Sequence, residues 1–134
     1  MEGYLGEIRL FAGFYAPLNW AFCDGSVLSI DDENFPLFQA IGSVYGGDGQ
    51  TTFALPDLRA RAVVGTGQGD GLTRYRIGES AGSEQLPTQP VRVNTGGGAN
   101  ATVNSVTPTS GNLQPVLGLN YIICVRGIFP DQRS

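Results

Sequence analysis

Residues 43–61 read SVYGGDGQTTFALPDLRAR, and this stretch decides which kind of fold the chain adopts. Three glycines surround Asp48, and a stiff Leu-Pro-Asp-Leu run then leads to Arg59 and Arg61. Three interpretations are open: a phosphate-binding loop, a metal-binding loop, or a structural corner. The choice among them separates a chain that performs chemistry from one that serves as a scaffold.

The residue types do not fit either ligand-binding loop. A phosphate loop of the form G-x-x-x-x-G-K-[ST] requires a lysine at the phosphates, and every basic residue of this sequence is an arginine. A calcium loop requires oxygen ligands at alternating positions and a closing glutamate, whereas Asp48 stands alone between glycines. We therefore predict a structural corner.

The first half of this corner is a chain reversal centred on Asp48. We expect Gly46, Gly47 and Gly49 to adopt positive φ angles, which only glycine adopts without strain. We expect the Asp48 carboxylate to accept hydrogen bonds from nearby backbone amides, as aspartate commonly does in turns.

The second half of the corner begins with a proline, which fixes the backbone ahead of a charged residue. Pro56 precedes Asp57, and the Asp57 carboxylate is predicted to pair with Arg59 or Arg61. A buried ion pair of this kind would hold the loop rigid in a protein with little helix.

The composition leaves few routes to catalysis. The sequence contains no histidine, which removes the usual general base, zinc ligand and pH switch. Without histidine or lysine, serine and threonine lack the partners that activate them as nucleophiles. The adjacent carboxylates at 31–33 are explained by a solvated turn that favours a helix N-terminus. We predict no enzyme activity, no catalytic residue, no metal site and no cofactor.

Charge and hydropathy also limit the partners. The net charge is −4 and no basic stripe is present, so we predict no nucleic-acid binding. The longest apolar runs are far shorter than the roughly 20 residues of a membrane span, so we predict no membrane insertion. The first residues lack the pattern of a secretory signal peptide. A location outside the cell would therefore require lysis or dedicated export.

Length and patterning predict a single domain over 1–134 that is mainly β (α+β), with one short helix and long Gly/Thr/Asn-rich loops. Strands are predicted at 6–12, 20–24 and 61–64, and a terminal strand at 117–129. The helix is predicted at 35–41, with Pro36 in its first turn and Gly42 at its end. Phe35, Phe38 and Ile41 are expected to share its buried face.

A polar, low-complexity segment at 91–112 has too few apolar residues to build a core of its own. Its weak β patterning makes it a candidate intersubunit strand that adds to the sheet edge of a neighbouring copy. Head-to-tail addition of this kind gives an open fibre. The candidate contacts are Val91, Val93, Val103 and Val106.

Two features each have two interpretations. Cys23 and Cys124 form a disulfide or remain free, and burial of a free Cys124 in its apolar run is the simpler reading. The aromatic residues pack a small β-rich core, or they form a platform that stacks on sugars. In the second case the candidate ligand contacts are Tyr15, Trp20 and Tyr75.

Several segments together resemble the phage tail collar domain, and most closely the small bacterial proteins called microcystin-dependent. The similar segments are GEIRLFAG at 6–13, APLNWAFCDGS at 16–26, YGGDGQTTFALPDLRAR at 45–61, GQGDGLT at 67–73 and QPVLGLNYIICVRGIFP at 114–130. The collar motif covers about 6–61. Its structural residues here are Trp20, Cys23, Asp24, Gly25, Gly46, Gly47, Asp48, Gly49, Pro56, Asp57, Arg59 and Arg61.

The chain departs from this family at two places. Ala60 stands where the family usually has glycine. The family also carries histidines after the glutamate-rich turn, and in related short tail fibres histidines near the trimer axis hold a metal. This sequence has no histidine, so the metal site is not carried over.

The resemblance implies a tail-collar fold and a non-enzymatic structural role in a phage-tail-derived fibre or extracellular filament. Its partners would be further copies of the chain, another tail or filament subunit, or a cell-surface glycan. Its location would be the virion, a tail-like particle or the extracellular space. The alternative is a receptor- or carbohydrate-binding tip that acts as a trimer. The word microcystin-dependent names no activity, and no residue constellation supports an enzyme that acts on a toxin.

Overall fold

The computed structural model describes residues 2–82, 91–95, 99–103 and 114–132. The chain divides into two compact units, one formed by residues 1–79 with 117–134 and the other by residues 80–116. The elements in chain order are β1 (Ile8–Phe11), β2 (Trp20–Phe22), β3 (Val27–Ser29), α1 (Phe35–Ile41), β4 (Thr52–Ala54), β5 (Val91–Thr95), β6 (Ala99–Val103) and β7 (Asn120–Cys124). Over these described residues, the predicted fold class, mainly β with one short helix, is confirmed.

The first unit is built on a three-stranded sheet in the order β1-β7-β2, and β7 is antiparallel to both neighbours. Phe11 pairs with Asn120 at one end of β7, whereas Trp20 pairs with Cys124 at the other end. The connection between β1 and β2 must therefore cross the sheet from end to end. We call this connection, residues 12–19, the crossover loop.

Both faces of the sheet are covered, because successive side chains of a strand point to opposite faces. On one face, Ile122 and Cys124 pack with Trp20, and Ala16 of the crossover loop lies against them. On the other face, Ile123 joins the larger core cluster. The other buried members of that cluster are Leu5, Cys23, Leu37, Phe53 and Leu55.

The helix spans Phe35–Ile41, as predicted, with Pro36 in its first turn. It ends at Gly42, whose N–H donates to the Phe38 carbonyl at 2.7 Å. The predicted buried face is partly wrong, because Leu37 is fully buried and Phe35 is exposed. At 100° per residue, positions 37, 41 and 38 form one continuous arc and position 35 lies outside it.

Two strands were not predicted, and one predicted strand is absent. β3 and β4 pair antiparallel to each other, with Leu28 opposite Phe53. The segment 61–64 is irregular, and Val63 and Val64 are exposed. The terminal strand covers only Asn120–Cys124 of the predicted 117–129. Apolar, β-branched composition therefore overestimates strand length where no neighbouring strand supplies backbone hydrogen bonds.

The second unit contains a hairpin in which β5 and β6 pair antiparallel, with Val91 opposite Val103. Val93 also lies in this hairpin, opposite Ala101. Val106, the fourth predicted contact, falls outside the described residues. The use of this segment between subunits stays a prediction, as does the single domain over 1–134. Among the described residues, no helix has the length and apolar character needed to cross a bilayer.

Candidate functional site

The corner at 43–61 is organised around the Asp48 carboxylate. Its Oδ1 atom accepts hydrogen bonds from the backbone N–H groups of Gln50, Thr51 and Thr52 at 2.8, 2.7 and 2.8 Å. The Thr51 hydroxyl donates to Oδ2 at 2.6 Å. This donor set, led by the Thr51 hydroxyl, lowers the pKa of Asp48 far below its ordinary range. The carboxylate is ionised and its oxygens are used within the loop.

The glycines of the corner adopt the predicted positive φ angles, at 138° for Gly46, 87° for Gly47 and 76° for Gly49. Gly47 is also restricted by a close approach of the chain to itself. A Cβ atom there would lie 2.7 Å from the Thr52 carbonyl oxygen and 2.8 Å from the Phe53 nitrogen. Only glycine fits this position, because backbone on the facing strand cannot move aside as a flexible side chain can.

The second half of the corner pairs with the segment that follows β2. Asp57 forms an antiparallel bridge with Asp24. On either side of this bridge, the Leu58 N–H donates to the Cys23 carbonyl at 3.0 Å and the Gly25 N–H donates to the Pro56 carbonyl at 3.3 Å. The predicted motif residues at 23–25 and 56–57 are thus joined by backbone hydrogen bonds, although they lie about thirty positions apart in the sequence.

Asp57 forms its ion pair with Arg59 through two parallel contacts, Nε to Oδ1 and Nη2 to Oδ2, each of 2.8 Å. The hydrogen bonds from Arg59 lower the pKa of Asp57 to about 2. The expectation that this pair is buried is wrong, because both side chains are largely exposed. Arg61 acts on Asp57 only through its charge. The backbone pairing and the Asp48 network therefore hold the corner more than this ion pair does, since an exposed ion pair contributes little.

The described residues give little basis for chemistry at this corner. Asp48 and Asp57 both have lowered pKa values, which suits structural acceptors and not general acids at neutral pH. In the part of the chain that the structure describes, no group of three His, Cys, Asp or Glu side chains comes together as a metal site would require. The carboxylates of the corner are instead engaged by hydrogen bonds from within the corner itself.

The two cysteines are free and buried, so the structure holds them as thiols. They lie in the two different core clusters, Cys23 in the larger and Cys124 in the smaller. Burial, followed by the charge of Asp24, raises the pKa of Cys23 to about 11. Burial also raises the pKa of Cys124. Raised pKa values keep both thiols protonated and poorly nucleophilic.

The three aromatic residues proposed as ligand contacts lie in different environments. Trp20 is 5% exposed and packs in the smaller core cluster, with the Arg9 guanidinium 5.0 Å from its ring centroid. Trp20 is therefore not placed to stack on a sugar, because a buried ring has no solvent-exposed face. Tyr75 is half-buried, and its backbone pairs with Gly67. Tyr15 is 86% exposed.

Sequence reasoning missed several residues that the structure makes important. The Thr51 and Thr52 side chains complete the Asp48 network, and the spacing D-x-x-T-T is a signal that could have shown this. Phe14 and Leu18 are both among the most exposed large apolar side chains. No local pattern distinguishes an outward from an inward apolar residue in an irregular loop.

Comparison with known proteins agrees with this geometry. Residues 6–63 match the model of the Phage Tail Collar Domain. This range contains the corner and the 23–25 segment that pairs with it. The chain is also 33% identical, over 96 residues, to the short tail fiber protein gp12 of Enterobacteria phage T4. The matched region is 70% of this chain but only 17% of the fibre protein. Residues 6–63 are therefore similar to the phage tail collar domain family, as the sequence motifs predict.

Proposed function

We propose that this chain is a non-enzymatic structural subunit of a phage-tail-derived fibre or extracellular filament that assembles from copies of itself. The observation that carries the proposal is the collar match at 6–63, together with similarity to a short tail fibre protein. The corner supports it, because the Asp48 carboxylate accepts backbone hydrogen bonds within the loop and the Asp57 carboxylate is paired with Arg59. The subunit would act on the virion, on a tail-like particle or outside the cell.

We further propose that the segment 91–112 provides the contact between subunits. Within the described residues it contributes the hairpin of β5 and β6. A two-stranded hairpin is marginally stable alone and leaves one edge of each strand unpaired. Pairing with a strand of a neighbouring copy would satisfy such an edge with main-chain hydrogen bonds. Repeated head-to-tail, this contact would build a filament.

The test is deletion of residues 94–112, followed by size-exclusion chromatography and negative-stain electron microscopy. We expect the wild-type chain to form long uniform fibres and the deletion variant to fold without forming fibres. Burial of Trp20 gives a control for folding, because its fluorescence maximum reports on the first unit. Val93→Pro is a second variant that keeps the chain length and removes one backbone donor from β5. Fibres formed by both variants would rule out the strand-addition mechanism.

A second candidate function is a receptor- or carbohydrate-binding tip that acts as a trimer. The observation that favours it is the exposed Tyr15 ring, because aromatic rings stack on sugars through an open face. It requires a discrete trimer in solution and saturable binding on a glycan array that Tyr15→Ala abolishes. A fibre in the microscope, together with an array without hits, would exclude it.

A further inference from the structure

We propose that the outer face of the crossover loop, formed by Phe14, Tyr15 and Leu18, is a contact surface for a second copy of this chain. The inference rests on the proposed function, in that it requires self-assembly. It adds a second contact in the first unit, separate from the segment 91–112.

The first observation is the direction in which the loop presents its side chains. The loop covers the face of the sheet that holds Trp20 and Ile122, and the small Ala16 is the loop residue that packs against this cluster. Phe14, Tyr15 and Leu18 are 89%, 86% and 86% exposed. A loop whose only role was to cover the sheet would turn its large apolar side chains inward, where burial is favourable.

The second observation is that the loop is held in place near both ends. The Asn120 side-chain amide donates to the Gly13 carbonyl at 2.9 Å. Near the other end, the Trp20 N–H donates to the Pro17 carbonyl at 3.0 Å, and the Val125 N–H donates to the Asn19 carbonyl at 2.9 Å. The outward side chains are therefore presented by an anchored segment, which lowers the ordering cost of a contact.

The third observation concerns charge, and it favours a second copy as the partner. Residues 10–23 and residues 114–125 contain no charged side chain, in a chain whose net charge is −4. Two copies that meet through charged acidic faces would repel each other. Arg9, which lies over the Trp20 ring, is paired with Glu7, so two copies that meet through the loop face would bring no net charge together.

The size of the surface is in the range of an interface anchor. Two aromatic side chains offer roughly 300 Å² per copy and about 600 Å² across a symmetric contact. A specific interface begins at about 1,000 Å², so these two rings would supply somewhat more than half of it and the remainder must come from Leu18 and its neighbours. A sugar is a poorer occupant, because Phe14 and Leu18 carry no group that could bond to its hydroxyls, and burial of unpaired hydroxyls is costly.

The test compares the full-length chain with the double variant Phe14→Ser/Leu18→Ser by sedimentation velocity over a concentration series. We expect the dissociation constant for self-association to rise at least tenfold. Val63→Ser/Val64→Ser is the matched control, because these apolar residues are also exposed and lie in an irregular segment. The control variant should associate as the wild type does. Circular dichroism and thermal unfolding establish that both variants are folded.

A second measurement places the contact. Tyr15→Cys, with the native cysteines buried, should give covalent dimers with a short bismaleimide at concentrations where the wild type is associated. If Phe14→Ser/Leu18→Ser assembles as the wild type does and Tyr15→Cys gives no cross-linked dimer, this inference is overturned and the proposed function is left intact. A wild-type chain that is monomeric at every concentration overturns the proposed function itself. If Phe14→Ser/Leu18→Ser loses glycan binding but assembles as the wild type does, the inference is also overturned, and a receptor-binding tip is favoured.

Discussion

At the scale of single residues, Ala60 is the clearest mismatch between sequence and backbone. Its φ angle is 56°, in the left-handed region, which costs a residue with a Cβ atom about 1–2 kcal/mol. The family resemblance places glycine at this position, and the structure gives the reason. The Arg61 N–H donates to the Leu58 carbonyl at 3.2 Å across this turn, which holds Ala60 in the strained conformation.

We therefore predict that Ala60→Gly stabilises the protein by about 0.5–1 kcal/mol, because relief of the left-handed strain exceeds the entropy cost of glycine. Urea unfolding followed by Trp20 fluorescence measures the change. Ala62→Gly is the control, since Ala62 is exposed and does not have a positive φ angle. It should be neutral or destabilising. Equal stabilisation by both substitutions would contradict the assignment of strain to position 60.

Asp48 gives a prediction about pH. Its folded pKa lies far below the ordinary aspartate value of about 3.9 because of the Thr51 hydroxyl and three backbone N–H groups. A group whose folded pKa is lowered stabilises the protein fully above its unfolded pKa, and this stabilisation disappears as the pH falls toward the folded pKa. We expect Asp48→Asn to lower the free energy of unfolding at pH 7. The difference in free energy of unfolding between wild type and variant should then shrink as the pH falls from 4 to 2.

The measurement for Asp48 is the urea midpoint at several pH values for wild type and variant. Asp70→Asn serves as the comparison, because Asp70 is also exposed and lies next to a glycine of the loop at 65–71. Its curve should follow that of the wild type. If the Asp48→Asn curve ran parallel to wild type down to pH 2, the hydrogen-bond network would not be the source of stability.

At the scale of elements, the helix shows how local signals succeed and where they stop. Its bounds, its proline and its terminal glycine follow from local backbone chemistry, and all three were predictable. Which arc is buried depends on where the rest of the core lies. Leu37 is fully buried, whereas Phe38 meets the Phe53 ring at 5.5 Å between centroids. The core contact comes from β4, which the sequence did not reveal.

For the helix we predict that Leu37→Ala lowers the free energy of unfolding by about 2–5 kcal/mol, the cost of removing a fully buried leucine from a packed core. Phe35→Ala, on the exposed side of the same helix, should cost less than half as much. Denaturant unfolding of the two variants provides the comparison. Equal losses would mean that the predicted face containing Phe35 is the packing face after all.

The strands were harder to predict than the helix, because strands need partners from distant sequence. β3 and β4 are three residues each, too short for alternation to be visible, and they form because Leu28 and Phe53 come opposite each other. At 61–64, apolar residues are present but a partner is not among the described strands. The turn around Asp48 could be anticipated, because Asp48 and its glycines act within a few residues of one another. The backbone bridge between Asp57 and Asp24 could not, because it joins distant parts of the sequence.

At the scale of the whole molecule, β7 joins the two ends of the sequence into one unit. Its register with β1 and β2 links residues separated by about a hundred positions. β7 also carries Ile123 into the larger core cluster and Cys124 into the smaller one. Because β7 contributes side chains to both clusters, we expect the first unit to unfold cooperatively. The two buried thiols, one in each cluster, allow this to be measured.

We predict that Cys23 and Cys124 become reactive through the same unfolding event. In the single-thiol variants Cys124→Ala and Cys23→Ala, labelling by a disulfide reagent should show the same dependence on urea. The opening free energy of each should equal its own global unfolding free energy within about 1 kcal/mol, because burial and raised pKa values protect both thiols until the sheet opens. A thiol added at an exposed position outside the crossover loop by Val64→Cys should react at once and at a rate independent of urea. Urea-independent labelling of either native cysteine would instead mean that its cluster opens locally, and that β7 does not couple the two faces of the sheet.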